Sequence, residues 1–319
     1  MTANSTRENL ITVAKLYYIG DSSQDEIAKI LGVSRPKVCR MLKICREKGI
    51  VQFNINTSSS HFELLAKKIK SHFGLKEVIV VPSEASHDQT KKNVGKRAAR
   101  YLAEHAADNM LVGMAWGSTL REMVREFQPE KAISGAQIIQ LTGGLHTQSI
   151  DMDGREMVKA LAIKLNANWL LMQVPLVVQS KLLRDLLMQE PELVAHFELF
   201  DKMDMAFVGL GSCLPTESMS YKAGYISLEE SVQLVKSGAV SDICGYRLML
   251  DGTPATTFLS DRVISINLDK LKKTPIVIGI GSGEEKAFSI IAAARGGYIN
   301  TFIIDELAAM SVIGIAKIQ

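Results

Sequence analysis

Aromatic residues make up only 6% of this 319-residue chain, and cysteine occurs four times. The cysteines, Cys39, Cys45, Cys213 and Cys244, form no C-x-x-C pair. Cys39 and Cys45 stand six apart on one expected helix, a poor geometry for a disulfide. All four therefore read as reduced, structural thiols of a cytoplasmic protein. Long hydrophobic runs are also missing. The longest, such as Trp169 to Val178, are broken by Gln173 and Pro175, so no segment is expected to span a bilayer. The polar opening (Thr2, Asn4, Ser5, Thr6) does not read as a charged-then-apolar leader. No metal-ligand spacing of His, Cys, Asp and Glu is present, and no nucleophile elbow, so neither a metal nor a catalytic residue is expected. His146 is a lone histidine that reads as a solvated loop residue. Neither G-x-G-x-x-G nor G-x-x-x-x-G-K-[ST] occurs in context, which disfavours dinucleotides and nucleoside triphosphates. Repeats of fixed period and low-complexity tracts are absent.

What is present is a 47% hydrophobic chain, long enough for a small and a large domain. Its net charge of +3 is unevenly distributed. Residues 1–56 hold nine Lys/Arg against five Asp/Glu, whereas the remainder holds 28 against 29. The positive excess lies at the N-terminal end, as attraction to a polyanion requires.

That end carries a helix-turn-helix pattern over residues 24–46. Ile27, Ile30 and Leu31 share the spacing of one helical face, and Ala28 permits close approach of a second helix. Gly32 can end the first helix in the left-handed conformation, and Val33 fills the corner. Ser34 suits the N-cap of a second helix, Pro36 its first turn, and Gly49 its end. Val38, Met41, Leu42 and Cys45 form the inward stripe of that helix. Ser34, Arg35, Lys37, Arg40 and Lys43 are left for a duplex, the first residues for base edges and the flanking cations for phosphates. A generic surface hairpin is the bland alternative, but charge, glycine turn, cap and small residue all fall in one register. Leu10, Val13, Ala14 and Tyr17 predict a preceding helix over 7–19. Ile50 to Asn56 alternates as a short strand, the wing of a winged-helix-like domain, and Thr57-Ser58-Ser59-Ser60 reads as the linker. The expected boundaries are 1–56 for a DNA-binding domain and 57–319 for an effector and oligomerisation domain.

Beyond the linker, Phe62, Leu65, Ile69 and Phe73 predict a helix, as do residues 91–108. Apolar runs at Val78–Val81, Met110–Ala115, Ala136–Leu141, Trp169–Val174, Met205–Leu210, Ile276–Ile280 and Asn300–Ile304 alternate with helical segments. This is the pattern of an α/β, Rossmann-like fold with a mostly parallel sheet. Ligands bind such sheets at the carboxyl ends of strands. Those ends carry Gly117-Ser118-Thr119, Thr142-Gly143-Gly144, Gly209-Leu210-Gly211-Ser212 and Gly281-Ser282-Gly283, with Lys286 a turn later. Their backbone N–H groups and hydroxyls suit a polyol or an anion, although a single such glycine is more often just a turn. Asp242 either bonds a sugar hydroxyl or caps a turn. Lys286 either holds a phosphate or is solvated, and Asp305 either faces the cleft or caps the last helix.

In order along the chain stand Trp116-Gly117-Ser118-Thr119-Leu120, Gln140-Leu141-Thr142-Gly143-Gly144 and Gly238-Ala239-Val240-Ser241-Asp242-Ile243. Gly283-Glu284-Glu285-Lys286 and Gly296-Gly297-Tyr298-Ile299-Asn300 follow, leading to Asp305-Glu306. With this set, nearly the whole chain resembles the SorC family of bacterial sugar-binding transcriptional regulators. The resemblance implies an N-terminal helix-turn-helix and an effector domain of the NagB/RpiA type, related to sugar-phosphate isomerases. It also implies a homo-tetramer, a double-stranded DNA operator and a sugar or sugar-phosphate effector. Carried over residue by residue, effector contacts fall on Gly117, Ser118, Thr119, Thr142, Gly143, Gly144, Asp242, Lys286 and Asp305, with Gly211 added from the strand-end reading. Ser241, Ser282 and Ile304 depart from the family's usual glycine, glycine and threonine. The alternative reading is an isomerase- or deaminase-like enzyme fused to a DNA-binding module, with Asp242 and Asp305 recruited as acid and base.

Overall fold

The computed structural model describes residues 3–20, 22–51, 59–129, 133–144, 154–222, 224 and 226–318. The chain separates into two compact units, Met1–Ser58 and Ser59–Gln319.

The small unit is built from α1 (Ala3–Tyr18), α2 (Gln24–Leu31) and α3 (Arg35–Glu47). α2 starts at a reciprocal cap: Glu26 N–H donates to Ser23 Oγ (3.3 Å), and Ser23 N–H donates to Glu26 Oε2 (2.8 Å). The Ser-x-x-Glu spacing of this cap stands in the sequence but did not enter the reading of it. α2 ends at Gly32 in the left-handed conformation (φ 62°), as expected. Ser34 occupies the N-cap of α3 with extended backbone, yet its hydroxyl makes no capping bond. Val13, Ile27, Ala28, Val38 and Leu42 close the three-helix core, and Leu10, Ala14 and Cys45 extend it. Full burial of Ile27 and Val38 contributes about 1.5–3 kcal/mol each. Ile30 departs from expectation, being 62% exposed. At 100° per residue the inward face of this short helix is centred on Ile27, Ala28 and Leu31, and Ile30 falls off its edge. Ile50 and Val51 form a bend whose N–H groups both donate to Cys45 O, not a strand. The rest of the expected wing, Gln52–Asn56, lies outside the described residues, as do Thr57 and Ser58. Ser59 and Ser60, assigned to the linker, are the first residues of α4.

In the large unit a seven-stranded parallel sheet runs in the order β1-β10-β9-β5-β2-β3-β4. Its strands are β1 (Glu77–Val81), β2 (Leu111–Met114), β3 (Gln137–Gln140), β4 (Asn168–Leu170), β5 (Met205–Gly209), β9 (Ile276–Gly281) and β10 (Thr301–Asp305). Apart from the edge strand β4 they read as near-continuous Val, Ile and Phe runs because helices cover both faces. Those helices include α4 (Ser59–Phe73), α5 (His87–His105), α6 (Ser118–Glu126), α7 (Gly154–Leu165), α13 (Ala287–Gly296) and α14 (Glu306–Ala316). Shorter helices α8 (Lys181–Leu187), α9 (Pro191–Leu199), α10 (Met219–Lys222), α11 (Leu228–Lys236) and α12 (Leu268–Lys273) fill the connections.

Two features differ from the sequence reading. Only Asn168–Leu170 of the Trp169–Val174 run joins the sheet. Met172 N–H is instead captured by the side-chain oxygen of Gln140 (3.1 Å), which takes the chain off the edge. A second, antiparallel sheet, unforeseen in the sequence, joins β6 (Gly211–Ser212), β7 (Ser241–Ile243) and β8 (Tyr246–Leu248). These strands are only two or three residues long, too short to leave a period-two signature.

Beside Gln140, His196 is buried in α9 and donates from Nε2 to the Gln140 carbonyl (2.7 Å). Burial lowers its pKa, and the hydrogen bond only partly offsets this. The folded ring therefore stays neutral where the unfolded ring binds a proton. Stability is retained above the unfolded value near 6.5 and is lost as pH falls below it. Urea denaturation should give a lower midpoint at about pH 5.5 than at about pH 7.5. His196→Gln, which keeps a donor without the titration, should narrow that gap.

Candidate functional site

β2 passes its chain through α6 to β3 on one side, whereas β5 passes its chain towards β9 on the other. The loops leaving these adjacent strands diverge, and a crevice opens at their carboxyl ends. It is a cavity of about 650 Å³ including its mouth. Three strand ends line it: Ala115–Leu120 after β2, Gly209–Ser212 at the end of β5, and Ile280, Gly281 and Lys286 from β9 and its following turn. The β7–β8 hairpin contributes Asp242, Cys244 and Gly245.

Gly117 holds φ 149° and ψ 156°, a conformation open to glycine, which lets the chain turn from β2 into α6. The first helical bond is Arg121 N–H to Gly117 O (2.9 Å), so the N–H groups of Ser118, Thr119 and Leu120 precede it at the positive end of the helix. Across the cavity, Lys286 lies in a single 3-10 turn, with a side chain 16% exposed. Its ammonium stands 3.9 Å from Glu285 Oε1 and makes no hydrogen bond among the described residues. Burial lowers its pKa, against the attraction of Glu285 and Glu217. Glu285 Oε1 is itself buried without a hydrogen-bond partner.

Asp242 reaches the same cavity, but its oxygens are committed. Oδ1 accepts from Gly245 N–H (3.0 Å), and Oδ2 accepts from Ser220 Oγ (3.2 Å). Buried Arg247 forms an ion pair with Oδ2 (3.2 Å) and donates to Gly245 O (2.6 Å) and Ser220 Oγ (2.8 Å). This network fixes a two-residue turn in which Cys244 takes a positive φ of 51° and Gly245 one of 87°. Gly211 carries no side chain because a Cβ there would lie 2.7 Å from Asp242 O. Neither neighbouring thiol is a nucleophile: burial pushes Cys213 up to about 12 and raises Cys244 as well.

Of the sequence-derived positions, the crevice gathers Gly117, Ser118, Thr119, Gly211, Asp242 and Lys286. The structure places Thr142, Gly143, Gly144 and Asp305 elsewhere. Thr142 bridges Ser265, Gly143 N–H donates to Ile264 O (2.9 Å), and Gly144 N–H donates to Val174 O (2.8 Å). They follow β3, one strand removed from the crevice. Asp305 ends β10, likewise one strand removed on the far side of β9, and is fully buried. It accepts from Gly283 N–H (2.7 Å) and Ser83 Oγ (2.6 Å), so it neither faces the cleft nor caps α14 with its side chain. Instead it pins the turn that carries Lys286. Sequence reasoning did not reach Ser220 and Arg247; Arg247 sits in a strand with no sequence signal of its own.

In the small unit, Ser34 at the N-cap and Arg35, Lys37, Arg40 and Lys43 on α3 are all exposed, while Val38, Leu42 and Cys45 face inward. Arg35 lies 3.7 Å from Asp25, an exposed pair. No group of His, Cys, Asp and Glu suited to a metal ion occurs among the described residues.

Residues 59–314 match the protein family described as "Putative sugar-binding domain". The chain is 30% identical to the sorbitol operon regulator of Klebsiella pneumoniae, over 93% of this chain and 95% of that protein. It is 28% identical to the deoxyribonucleoside regulator of Bacillus subtilis, over 95% and 96% respectively. Among solved structures it is similar to the full-length sorbitol operon regulator SorC from Klebsiella pneumoniae, with a TM-score of 0.77 at 29% identity, covering 94% of this chain and 96% of that one.

The two charged cavity residues should respond oppositely to removal. Asp242→Ala strands a buried guanidinium and should cost about 3–5 kcal/mol. Lys286→Met removes a cation that burial disfavours, and should leave stability unchanged or raise it. Urea midpoints of the two variants check both signs.

Proposed function

The chain belongs to the SorC family of sugar-binding transcriptional regulators, and from that premise we propose how it works: α3 grips an operator, and a carbohydrate bound in the crevice changes that grip. The protein is a regulator and not an enzyme. Its relatives are transcriptional regulators, and Asp242, the acid–base candidate that reaches the crevice, has both oxygens occupied structurally.

One observation carries the effector reading. The start of α6 and the Lys286 ammonium converge on one cavity whose single lining carboxylate is already satisfied. Such a site supplies backbone donors, hydroxyls and positive charge, the last of which a neutral polyol would not use. The effector is therefore a sugar bearing an anionic group, a sugar phosphate foremost. Its contacts fall on Gly117, Ser118, Thr119, Gly211 and Lys286, with Asp242 as a rigid wall. Thr142–Gly144 and Asp305 support from behind. On α3, Ser34 and Arg35 meet the groove first, and Lys37, Arg40 and Lys43 meet phosphates. The effector shifts operator affinity only by as much as it prefers one arrangement of the protein over another.

The assembly is a tetramer working in the cytoplasm. α8 buries none of its residues and leaves Leu182, Leu183 and Leu186 exposed, a surface that favours association of copies. No helix among the described residues is long and apolar enough to cross a membrane.

Gel shifts on the DNA upstream of the protein's own gene test the head. Arg35→Ala and Arg40→Ala should each weaken binding by about 1–3 kcal/mol, roughly 5- to 150-fold. Normal binding by both would misplace the recognition helix. A thermal-shift panel of sugars paired with their phosphates tests the crevice. A phosphorylated member should raise the melting temperature and move operator affinity, and Lys286→Met should abolish its advantage over the free sugar. Equal shifts by both members of every pair would sink the anionic reading.

A further inference from the structure

The β7–β8 hairpin borders two cavities. One is the crevice. The other measures about 1030 Å³ including its mouth, at the upper end of what small-molecule sites span. It lies wholly within the large unit, between the hairpin, the chain from Pro254 to Val263, the start of α12 and Tyr298 in the turn before β10. Arg247 lines it, and the ion pair of Arg247 with Asp242 (3.2 Å) partitions it from the crevice that Asp242 lines.

The polar groups of this second cavity are uncommitted. Tyr298 is only 4% exposed, yet its hydroxyl makes no hydrogen bond among the described residues and is not sealed from the cavity. A hydroxyl at that depth costs stability unless water or a ligand bonds it. The Lys272 ammonium stands 4.5 Å from the centre of the Tyr298 ring. Neither Lys272 nor Asp269, one turn earlier on α12, has an ion pair or hydrogen bond among the described residues. Half-buried Tyr246 contributes a ring and an unbonded hydroxyl, which burial pushes up to about 12, so it keeps its proton. Alone, Asp269 and Lys272 would read as solvated charges of a short helix. The unpartnered Tyr298 hydroxyl beneath them marks a binding site.

We propose that this second cavity binds an unphosphorylated sugar or polyol. One free carboxylate and one free ammonium a turn apart cancel in charge, and a phosphate would meet the Asp269 carboxylate. A neutral polyol uses both groups: its hydroxyls donate to Asp269 and accept from Lys272 and Tyr298. Its C–H face lies against the Tyr246 ring, an apolar body with a polar tip. The crevice differs in that its lining carboxylate, Asp242, is already bonded. The large unit thus holds separate sites for a sugar and for its phosphate ester, with the Asp242–Arg247 pair as the wall between them.

The inference does not depend on the crevice reading, and variants on either side of the wall separate the two. The full chain is titrated, with melting temperature as the readout, against D-ribose, D-glucose, D-fructose and D-mannitol, against the phosphate ester of each, and against L-leucine. At least one neutral member should raise the melting temperature of the parent. Its affinity should fall by about tenfold or more in Asp269→Ala and by about 2- to 10-fold in Tyr298→Phe, and should persist in Lys286→Met. Tyr298→Phe removes an unbonded hydroxyl and Asp269 is exposed, so both variants should keep the fold, which their retained response to a phosphate ester checks. No response to any neutral member, or an equal response in parent and both variants, overturns the proposal. A neutral response lost in Lys286→Met and kept in Asp269→Ala puts the free sugar in the crevice, and overturns this inference alone. A response to L-leucine without one to any sugar overturns it in favour of a zwitterion. A neutral response that needs Asp269, with none to any phosphate ester, supports this site and overturns the anionic reading of the crevice.

Discussion

A strand in a parallel sheet delivers its chain to one side or the other, and β2 and β5 stand adjacent while delivering theirs in opposite directions. The divergence leaves a gap that no connection crosses, and the gap becomes the cavity. Everything assigned to the effector depends on it. The start of α6 faces the gap because α6 is the connection leaving β2. Lys286 faces it because β9 is the next neighbour of β5. A different strand order with the same strands would disperse these groups around the sheet.

Two carboxylates near this site, Asp242 and Asp305, serve the scaffold. Asp242 and Arg247 are both largely buried, and neither is tolerable alone at that depth. Together with Ser220 they hold a hairpin turn whose Cys244 sits in a conformation that side chains rarely adopt. Asp305 plays a comparable part for the turn bearing Lys286, and neighbouring Glu306 meets His61 at the start of α4 (2.9 Å). With Asp242 and Asp305 occupied, the start of α6 and the Lys286 ammonium are left facing the cavity. Lys286 carries a desolvation cost there, which lowers its pKa.

The small unit follows a simpler logic. Its three helices bury one apolar stripe each, and the caps at Ser23, Gly32 and Gly49 set where each helix starts and stops. Burying Val38, Leu42 and Cys45 leaves the basic residues of α3 no direction but outward. The exposed basic face is here the remainder of a packed core.

The sequence alone was enough for the helix-turn-helix, the alternation of strands and helices, and the glycine-rich strand ends. Each is a local pattern: a 3.6-residue period, a cap, or an apolar run closed by glycine. It also pointed to the family, through motifs spread along most of the chain. It did not separate Gly117–Thr119, Gly211, Asp242 and Lys286, which share the crevice, from Thr142–Gly144 and Asp305, which do not. All of these follow or border strands and look alike along the chain. Which of them meet depends on strand order, set by pairings between residues as distant as Val112 and Met205, or Val81 and Asp305. The same holds for the partners of Asp242, since nothing local to Arg247 announces a buried ion pair. Local periodicity records which face of an element is inward, and only the packed tertiary structure decides what lies opposite that face.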